Sequence, residues 1–239
     1  MRTCEQPGRF PRTIGPAIRG GRVIFTEAEA QDDRRVAWAF SESFLTEDAT
    51  LRRARERAFG LGCPTISPGT GALLRVVAAA TQARTAVEIG SDAGVTALWV
   101  LRGMLPDGVL TTIDPDPARQ RAAKAVFADE QVAGSRTRVI TRPPLDVLPR
   151  LTDGAYDVVL VAVDALSLAP HVEAAIGLLR PGGVLGVVDA ALAGRATDAE
   201  GHGETAAAVR AVALAVRADD RLVPAMVPTG DGLLLAVRR

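Results

Sequence analysis

The stretch AVEIGSDAGVTALWVL, Ala86 to Leu101, decides the fold. An apolar run ends in Glu88 and is followed by a turn of small residues from Gly90 to Gly94, after which a helical pattern begins. A strand, a glycine turn and a helix in this order are typical of the first βα unit of a doubly wound sheet, where ligands bind. We therefore expect a binding site at this turn.

Downstream of this unit, apolar runs and amphipathic segments alternate regularly. Continuous apolar runs such as YDVVLVAV indicate strands buried on both faces, and hence a parallel sheet covered by helices. The last two runs flank Thr229–Gly232 with no room for a crossover helix, which predicts an antiparallel hairpin. Strands are predicted at 85–89, 109–113, 137–140, 156–163 and 183–188, and helices at 94–104, 116–132, 145–151, 168–180 and 204–217.

The part of the chain before Ala86 has two regions. Residues 1–33 are rich in Pro, Gly and Arg and are interpreted as a flexible arm, disordered or draped on a partner. Three helices are predicted next. The first lies in 34–44, the second follows Thr46 as its N-cap, and the third lies in 69–83. The sequence thus predicts one α/β domain over 34–239. Its fold is a doubly wound, Rossmann-like, mostly parallel seven-stranded sheet with N-terminal helices and a C-terminal antiparallel hairpin.

Composition excludes several classes of protein. Lys plus Arg and Asp plus Glu both number 28, so the net charge is zero and a large surface for nucleic acid is not expected. The two cysteines, Cys4 and Cys63, form neither a disulfide framework nor a metal pattern. The first residues lack the apolar core of a signal peptide, and no apolar run approaches the roughly 18 residues of a membrane span. We expect a cytoplasmic protein that binds neither nucleic acid nor membrane.

The glycine turn departs from the dinucleotide fingerprint G-x-G-x-x-G. Asp92 stands at its middle glycine, and a carboxylate facing a pyrophosphate would be repulsive, which disfavours a nicotinamide-dependent oxidoreductase. The observed acid-x-Gly-x-x-x-Gly pattern resembles motif I of the class I S-adenosylmethionine-dependent methyltransferases, whose zwitterionic, cationic ligand tolerates nearby carboxylates. Asp114, after the strand LTTI, stands where an acid would accept both ribose hydroxyls. Taken alone, the turn could equally be a tight strand-to-helix corner.

A closer resemblance covers the chain from about Arg34 to its end. The segments VEIGSDAGVTALWVL, YDVVLVAVD, LLRPGGVLGVVDAALAGR and GDGLLLAVRR follow the order of the family 3 O-methyltransferases, which include catechol and caffeoyl-CoA O-methyltransferases. The resemblance implies S-adenosyl-L-methionine as cofactor. A plainer role is open for each implied contact: Thr96, for example, could merely cap a helix, and Asp164 could be a solvated strand-end acid. The implied contacts are Ile66 in the pocket wall, Glu88 and Gly90 under the methionine part, Ser91 in the loop, Thr96 in the first helical turn, Asp114 at the ribose and Asp164 at the methionine amino group.

The resemblance breaks where the family binds a divalent cation. Ala162 and Ala190 stand at two metal-ligand positions and Ala165 at the position of a lysine base, so that only Asp189 remains. One carboxylate is a poor chelate for Mg²⁺, which prefers several oxygen ligands. We therefore expect no divalent metal, and metal-dependent methylation of a catechol is disfavoured. Methyl transfer still needs little beyond in-line positioning of the reacting atoms.

Other positions leave the catalytic residue unassigned. Arg142 and two prolines replace the small turn that the family places beside adenine. His171 and His202 could act as bases, although surface histidines are the plainer interpretation.

The leading hypothesis is an O-methyltransferase that acts on a small-molecule hydroxyl without metal. The alternative is a non-catalytic, cofactor-binding relative with a regulatory or scaffold role. The resemblance also implies a homodimer in which residues 34–62 take part. Val36, Trp38, Phe40 and Phe44 would suit its interface, and an intramolecular core is the alternative for them.

Overall fold

The computed structural model of the protein describes residues 18–19, 22–23, 27–191 and 203–239, with side chains from residue 32 onward in those ranges. The chain forms two compact units, residues 1–40 and 41–239. The first unit contains a short antiparallel pair and most of helix α1. These elements are β1 (Ile18–Arg19), β2 (Arg22–Val23) and α1 (Glu27–Ser43), so that the helix expected from Arg34 begins at Glu27.

The second unit contains the alternating elements that the apolar runs predict. Its strands are β3 (Thr85–Ile89), β4 (Val109–Ile113), β5 (Thr137–Ile140), β6 (Tyr156–Val161), β7 (Leu179–Val187), β8 (Leu222–Val227) and β9 (Leu233–Arg238). Its helices are α2 (Ala49–Gly60), α3 (Pro68–Ala80), α4 (Val95–Leu101), α5 (Pro117–Asp129), α6 (Pro144–Val147), α7 (Leu168–Leu178) and α8 (Gly203–Ala218).

The seven strands from β3 to β9 form one sheet in the order β5-β4-β3-β6-β7-β9-β8. Within this sheet, β3 to β7 run parallel to one another, whereas β9 pairs antiparallel with both β7 and β8. The predicted fold class is therefore confirmed, including the hairpin around Thr229–Gly232. None of the helices among the described residues is long and apolar enough to cross a membrane.

The inner strands of the sheet, such as β3 and β6, bury side chains on both faces, because successive residues point in opposite directions. Val87 and Ile89 pack on one side with residues of α6, α7 and α8. Ala86 and Leu110 pack on the other side with residues of α2, α3, α4 and α5. This two-sided cover explains why the strands read as continuous apolar runs.

Several boundaries differ from the sequence prediction, and three of them in the second unit have a local explanation or position a strand. Helix α2 is capped by Asp48, whose carboxylate accepts the Leu51 N–H, and not by Thr46. Strand β6 ends at Val161 rather than at residue 163. Strand β7 begins earlier than residue 183, because Leu179 already pairs with β6 ahead of an irregularity in the register.

Candidate functional site

The strand order reverses beside β3, with β4 on one side of it and β6 on the other. At such a point the connecting segments part and leave a crevice outside the carboxyl ends of the strands. Acidic residues stand in or just after the four strands that meet there, namely Glu88, Asp114, Asp164 and Asp189. Because these strands are parallel, the four residues come to one edge of the sheet.

Two glycines of the turn after β3 are required by contacts within the protein. Gly90 has a φ of 82°, and a Cβ there would overlap the carbonyl oxygen of Ala162. Gly94 has a φ of 96°, and a Cβ there would lie 2.8 Å from the Cα of Ala123 on α5. A side chain at either position would strain the backbone and separate packed elements. The tight strand-to-helix corner is therefore real, and any ligand at this turn depends on it.

Asp114 is 2% exposed and is held by two backbone N–H groups. Its Oδ2 accepts the Ser91 N–H at 2.8 Å and its Oδ1 accepts the Asp116 N–H at 2.7 Å. Nη1 of Arg119 lies 3.7 Å from Oδ2. The carboxylate is thus fixed in orientation and connects the end of β4 to the glycine turn. Each oxygen keeps a second lone pair that can accept a hydroxyl.

Asp92 occupies the N-terminus of α4. Its Oδ1 accepts the Thr96 N–H at 2.8 Å, and its Oδ2 accepts the Thr96 hydroxyl at 2.7 Å. A helix N-terminus at this place is where dinucleotide-binding folds hold a pyrophosphate. Since a carboxylate already takes that position, the contact argues against the nicotinamide hypothesis. Thr96 itself lies in the first turn of α4 and is not its N-cap, and its hydroxyl donates to Asp92.

Several buried oxygen atoms at the end of β3 lack a hydrogen-bond partner among the described residues. They are both carboxylate oxygens of Glu88 and the hydroxyl of Ser91. Glu88 is 1% exposed, and this burial, together with the carboxylates of Asp92 and Asp114, raises its pKa well above the usual value. Buried polar atoms are normally paired. This site therefore fits a ligand that brings hydrogen-bond donors and positive charge, as the methionine part of S-adenosylmethionine does.

Residues 63–66 form a wall beside this turn. The Sγ of Cys63 lies 3.6 Å from the Ser91 carbonyl oxygen. Burial raises the pKa of Asp92, while the Thr96 N–H and hydroxyl, which its carboxylate accepts, and the nearby Ile66 N–H lower that pKa in part. Ile66 is buried and lies next to the turn. We call Ile66, Glu88, Ser91, Asp92 and Asp114 the cofactor edge.

The ends of β6 and β7 are built differently, and we call Ala162–Ala165 with Asp189–Ala190 the acceptor edge. Asp164 is exposed in the turn after β6, and its carbonyl accepts the Ser167 N–H at 2.9 Å. The backbone of Asp189 has a φ of 57°. Partial burial, followed by the charges of Asp231 and Asp92, raises the pKa of the Asp189 carboxyl.

The acceptor edge does not fit the divalent cation that is bound in the family that the sequence resembles. Three of its positions carry methyl groups, and the side chain of Ala190 is buried in the apolar core below the edge. Within the described ranges, no three His, Cys, Asp or Glu side chains gather closely enough to hold a metal ion. Asp189 alone supplies too few oxygen ligands for Mg²⁺.

The other candidate positions lie in three different settings. His171 is 6% exposed, and its Nδ1 lies 2.7 Å from the Ser167 carbonyl, so the surface interpretation of this histidine is wrong. That carbonyl can only accept, which leaves the proton on Nδ1. Arg142 is exposed after β5. His202 lies outside the described residues.

The sequence did not indicate two clusters of hydrogen-bonded charged side chains, one around Glu42 and one around Arg55. Glu42 accepts the N–H groups of Gly69 and Gly230 at 2.9 and 2.7 Å and the Thr229 hydroxyl at 3.0 Å. Its partners lie 27 to 188 residues away, so no local pattern could have indicated them. Arg55 forms the second cluster. The only sign of this cluster in the sequence is that a charged residue, Arg55, lies on the apolar face of α2. That pattern does not indicate which residues Arg55 binds.

Comparisons with known proteins agree with this arrangement. The O-methyltransferase family model matches residues 41–239. A protein of Mycobacterium sp. strain JLS with a provisional O-methyltransferase name is 46% identical over 200 residues, which cover 84% of this chain and 91% of the relative.

Solved structures extend the likeness to three dimensions. A Corynebacterium glutamicum protein is 34% identical with a TM-score of 0.79, covering 87% of this chain and 97% of its own. The O-methyltransferase TomG of Streptomyces achromogenes, crystallised with S-adenosylmethionine, is 27% identical with a TM-score of 0.74. That likeness covers 90% of this chain and 99% of TomG.

Proposed function

The chain belongs to O-methyltransferase family 3, and on that premise we propose that it methylates a hydroxyl group of a small molecule without a divalent cation. As a member of this family it is an S-adenosylmethionine-dependent methyltransferase, with S-adenosyl-L-methionine as its cofactor. The proposal concerns the acceptor and the way in which its hydroxyl is made to react.

One observation carries the proposal, namely the contrast between the two edges of the site. The cofactor edge holds oriented acids and the unpartnered oxygens of Glu88 and Ser91. The acceptor edge has alanine at Ala162, Ala165 and Ala190. A chain that no longer bound the cofactor would have no need of the buried, costly acids of the cofactor edge. Their presence supports cofactor binding, and the assay for a methylated product separates catalysis from the non-catalytic alternative.

S-adenosylmethionine supplies a methyl group activated on a sulfonium, and the residues of the cofactor edge bind and orient that ligand. The fixed carboxylate of Asp114 is placed to accept the ribose hydroxyls. The burial of Glu88 keeps water away from the charged methionine part, whose positive charge favours the ionised carboxylate. The residues proposed to contact the cofactor remain Ile66, Glu88, Gly90, Ser91, Thr96, Asp114 and Asp164, with Thr96 acting through its bonds to Asp92.

Without a cation, the acceptor hydroxyl is not acidified by a metal, and the rate then rests on positioning the oxygen in line with the methyl group. The alanines at Ala162 and Ala165 offer no charged group to an acceptor, which is consistent with one that needs no metal clamp. The neighbour TomG is involved in tomaymycin synthesis, which supports a small molecule as acceptor.

The test is methyl transfer from methyl-labelled S-adenosylmethionine to a panel of phenols and other hydroxyl compounds, run in parallel with EDTA and with Mg²⁺. We expect a methylated product at the same rate under both conditions. A product that forms only with Mg²⁺ would overturn the metal-free mechanism. Cofactor binding without any product across a broad panel would favour the non-catalytic alternative.

We also propose a homodimer and a cytoplasmic location. The large apolar side chains of Val36 and Trp38 on α1 are suited to an interface between two copies of this chain. Light scattering on the eluting protein should give twice the mass of the chain, and a monomer would refute the dimer.

A further inference from the structure

Arg55 on α2 uses three of its nitrogen atoms at once. Nε and Nη2 donate to the two carboxylate oxygens of Glu47 at 2.6 and 2.7 Å. Nη1 donates to the Thr65 hydroxyl at 2.7 Å and to the Ile66 carbonyl at 2.6 Å. One side of the guanidinium therefore forms a bidentate ion pair, and the other side holds a loop.

The ion pair is shielded from solvent, and a third side chain completes it. The Glu47 side chain is 9% exposed and that of Arg55 is 24% exposed. Nε1 of Trp99, on α4, donates to Glu47 at 3.3 Å. Charge-assisted, bidentate bonds of this kind are strong and geometrically specific. Glu47 thus fixes the plane of the guanidinium and so determines where Nη1 points.

The loop that Nη1 holds is the wall of the cofactor edge. The carbonyl of Ile66 is fixed by Arg55, and its N–H faces the carboxylate of Asp92 closely enough to lower the pKa of that carboxyl. Asp92 in turn caps α4 at the glycine turn. A displacement at Arg55 would therefore reach Asp92 through a single residue.

We infer that Arg55 is a positioning residue for the cofactor: it holds Thr65 and Ile66 against the glycine turn and thereby sets the affinity for S-adenosylmethionine. This inference rests on the proposed cofactor site. It goes beyond that site because Arg55 lies behind the loop and needs no contact with the ligand.

The experiment is calorimetric titration of S-adenosylhomocysteine into the full chain, comparing wild type, Arg55→Lys and Arg57→Lys. Lysine keeps the charge but cannot serve Glu47 and the loop together. Arg57 is the matched control, since it lies on the same helix and forms an ion pair with Asp129 at 2.7 Å away from the loop. We expect Arg55→Lys to weaken binding roughly ten-fold and Arg57→Lys to change it less than about two-fold.

A second pair of variants protects the test against a general loss of stability. Thr65→Val removes one acceptor of Nη1 and should weaken binding about three-fold, whereas Thr65→Ser keeps the hydroxyl and should bind as wild type does. Thermal unfolding should show a larger loss for Arg55→Lys than for Arg57→Lys, because only Arg55 forms a shielded bidentate pair, so the two Thr65 variants supply the comparison at matched stability.

Each outcome decides between the claims. Equal affinity of Arg55→Lys, Thr65→Val and wild type would overturn the role of Arg55 and leave the proposed function intact. Affinity losses that merely follow the unfolding temperature, with Arg57→Lys as weak as Arg55→Lys, would overturn it too. Absence of binding by wild type itself would remove the cofactor site, and this inference with it.

Discussion

The cofactor edge and the acceptor edge stand on the same border of one sheet, yet they are held together differently. At the cofactor edge, side chains determine the backbone: Asp114 binds the Ser91 N–H, and Asp92 binds the first turn of α4. At the acceptor edge, main-chain bonds suffice. The Ala162 N–H binds the Ile89 carbonyl at 2.8 Å, and the Ala190 N–H binds the Gly232 carbonyl at 2.9 Å.

The difference shows which parts of such a site can be replaced without loss of the fold. A side chain that only reaches into the crevice can shrink to alanine, because the strand end stays in place through its backbone bonds. A side chain that satisfies buried N–H groups cannot, because those groups would be left unpaired. Metal ligands can therefore be absent here while the cofactor edge is complete.

The largest effect is expected from Asp114→Asn. Both oxygens of Asp114 accept backbone N–H groups, and an amide would turn its NH₂ group toward one of these donors. Affinity for S-adenosylhomocysteine should fall roughly a hundred-fold, measured by calorimetry. The control is Asp116→Asn two residues on, where asparagine is an equally good N-cap for α5. Similar affinities for the two variants would show that Asp114 does not orient the site.

Gly90→Ala tests the connection between the two edges. The new Cβ would overlap the Ala162 carbonyl in a backbone with φ of 82°, so the free energy of unfolding should fall by about 2 kcal/mol or more. Chemical denaturation measures it. Gly134→Ala has no atom within 4 Å of the added Cβ and should be nearly neutral. A neutral Gly90→Ala would mean that the turn is looser than the contact implies.

Restoring one missing ligand tests the acceptor edge directly. Ala162→Asp should bind Mn²⁺ about five-fold more tightly than wild type, because this position is half-buried at the edge and the variant adds an oxygen ligand near Asp189. Electron paramagnetic resonance of free Mn²⁺ gives the affinity, and Ala162→Asn, which offers only a neutral amide oxygen, serves as the control. Equally tight Mn²⁺ binding by wild type would contradict the proposed loss of the metal site.

The smallest effect is expected from Glu42→Gln. Hydrogen bonds from Ser67, Gly230, Gly69 and Thr229 hold the pKa of Glu42 below its usual value despite partial burial. The stabilisation is thus present above the unfolded-state pKa and is lost as pH falls through the folded-state pKa. Glu42→Gln should cost about 1 kcal/mol at pH 7 and nothing once pH is well below about 4. The control is Glu56→Gln at an exposed position, which should cost little stability at pH 7. A loss for Glu42→Gln that stays constant down to low pH would contradict the role of the Glu42 carboxylate.

The sequence predicted the sheet well because its strands are buried on both faces and read as unbroken apolar runs. The hairpin followed from spacing alone. Boundaries set by caps were less certain, since Thr46 and Asp48 are both good N-cap residues two positions apart and only Asp48 accepts the Leu51 N–H.

The candidate site was predictable only in part. Strand-end acids such as Asp114 are visible because topology places them at one edge. The bond from Arg55 to the Ile66 carbonyl depends on how α2 packs against a loop, and no local pattern encodes it. The burial of His171 was missed for a similar reason, since nothing in the sequence of its helix distinguishes a buried histidine from an exposed one.

The central claim is that the cofactor edge works independently of the missing metal. Its most direct test is titration of S-adenosylhomocysteine into wild-type protein stripped with EDTA, repeated with Mg²⁺ added back. We predict that S-adenosylhomocysteine binds with micromolar affinity and that this affinity is the same in both titrations. Binding that appears only with Mg²⁺, or no binding in either titration, would contradict it.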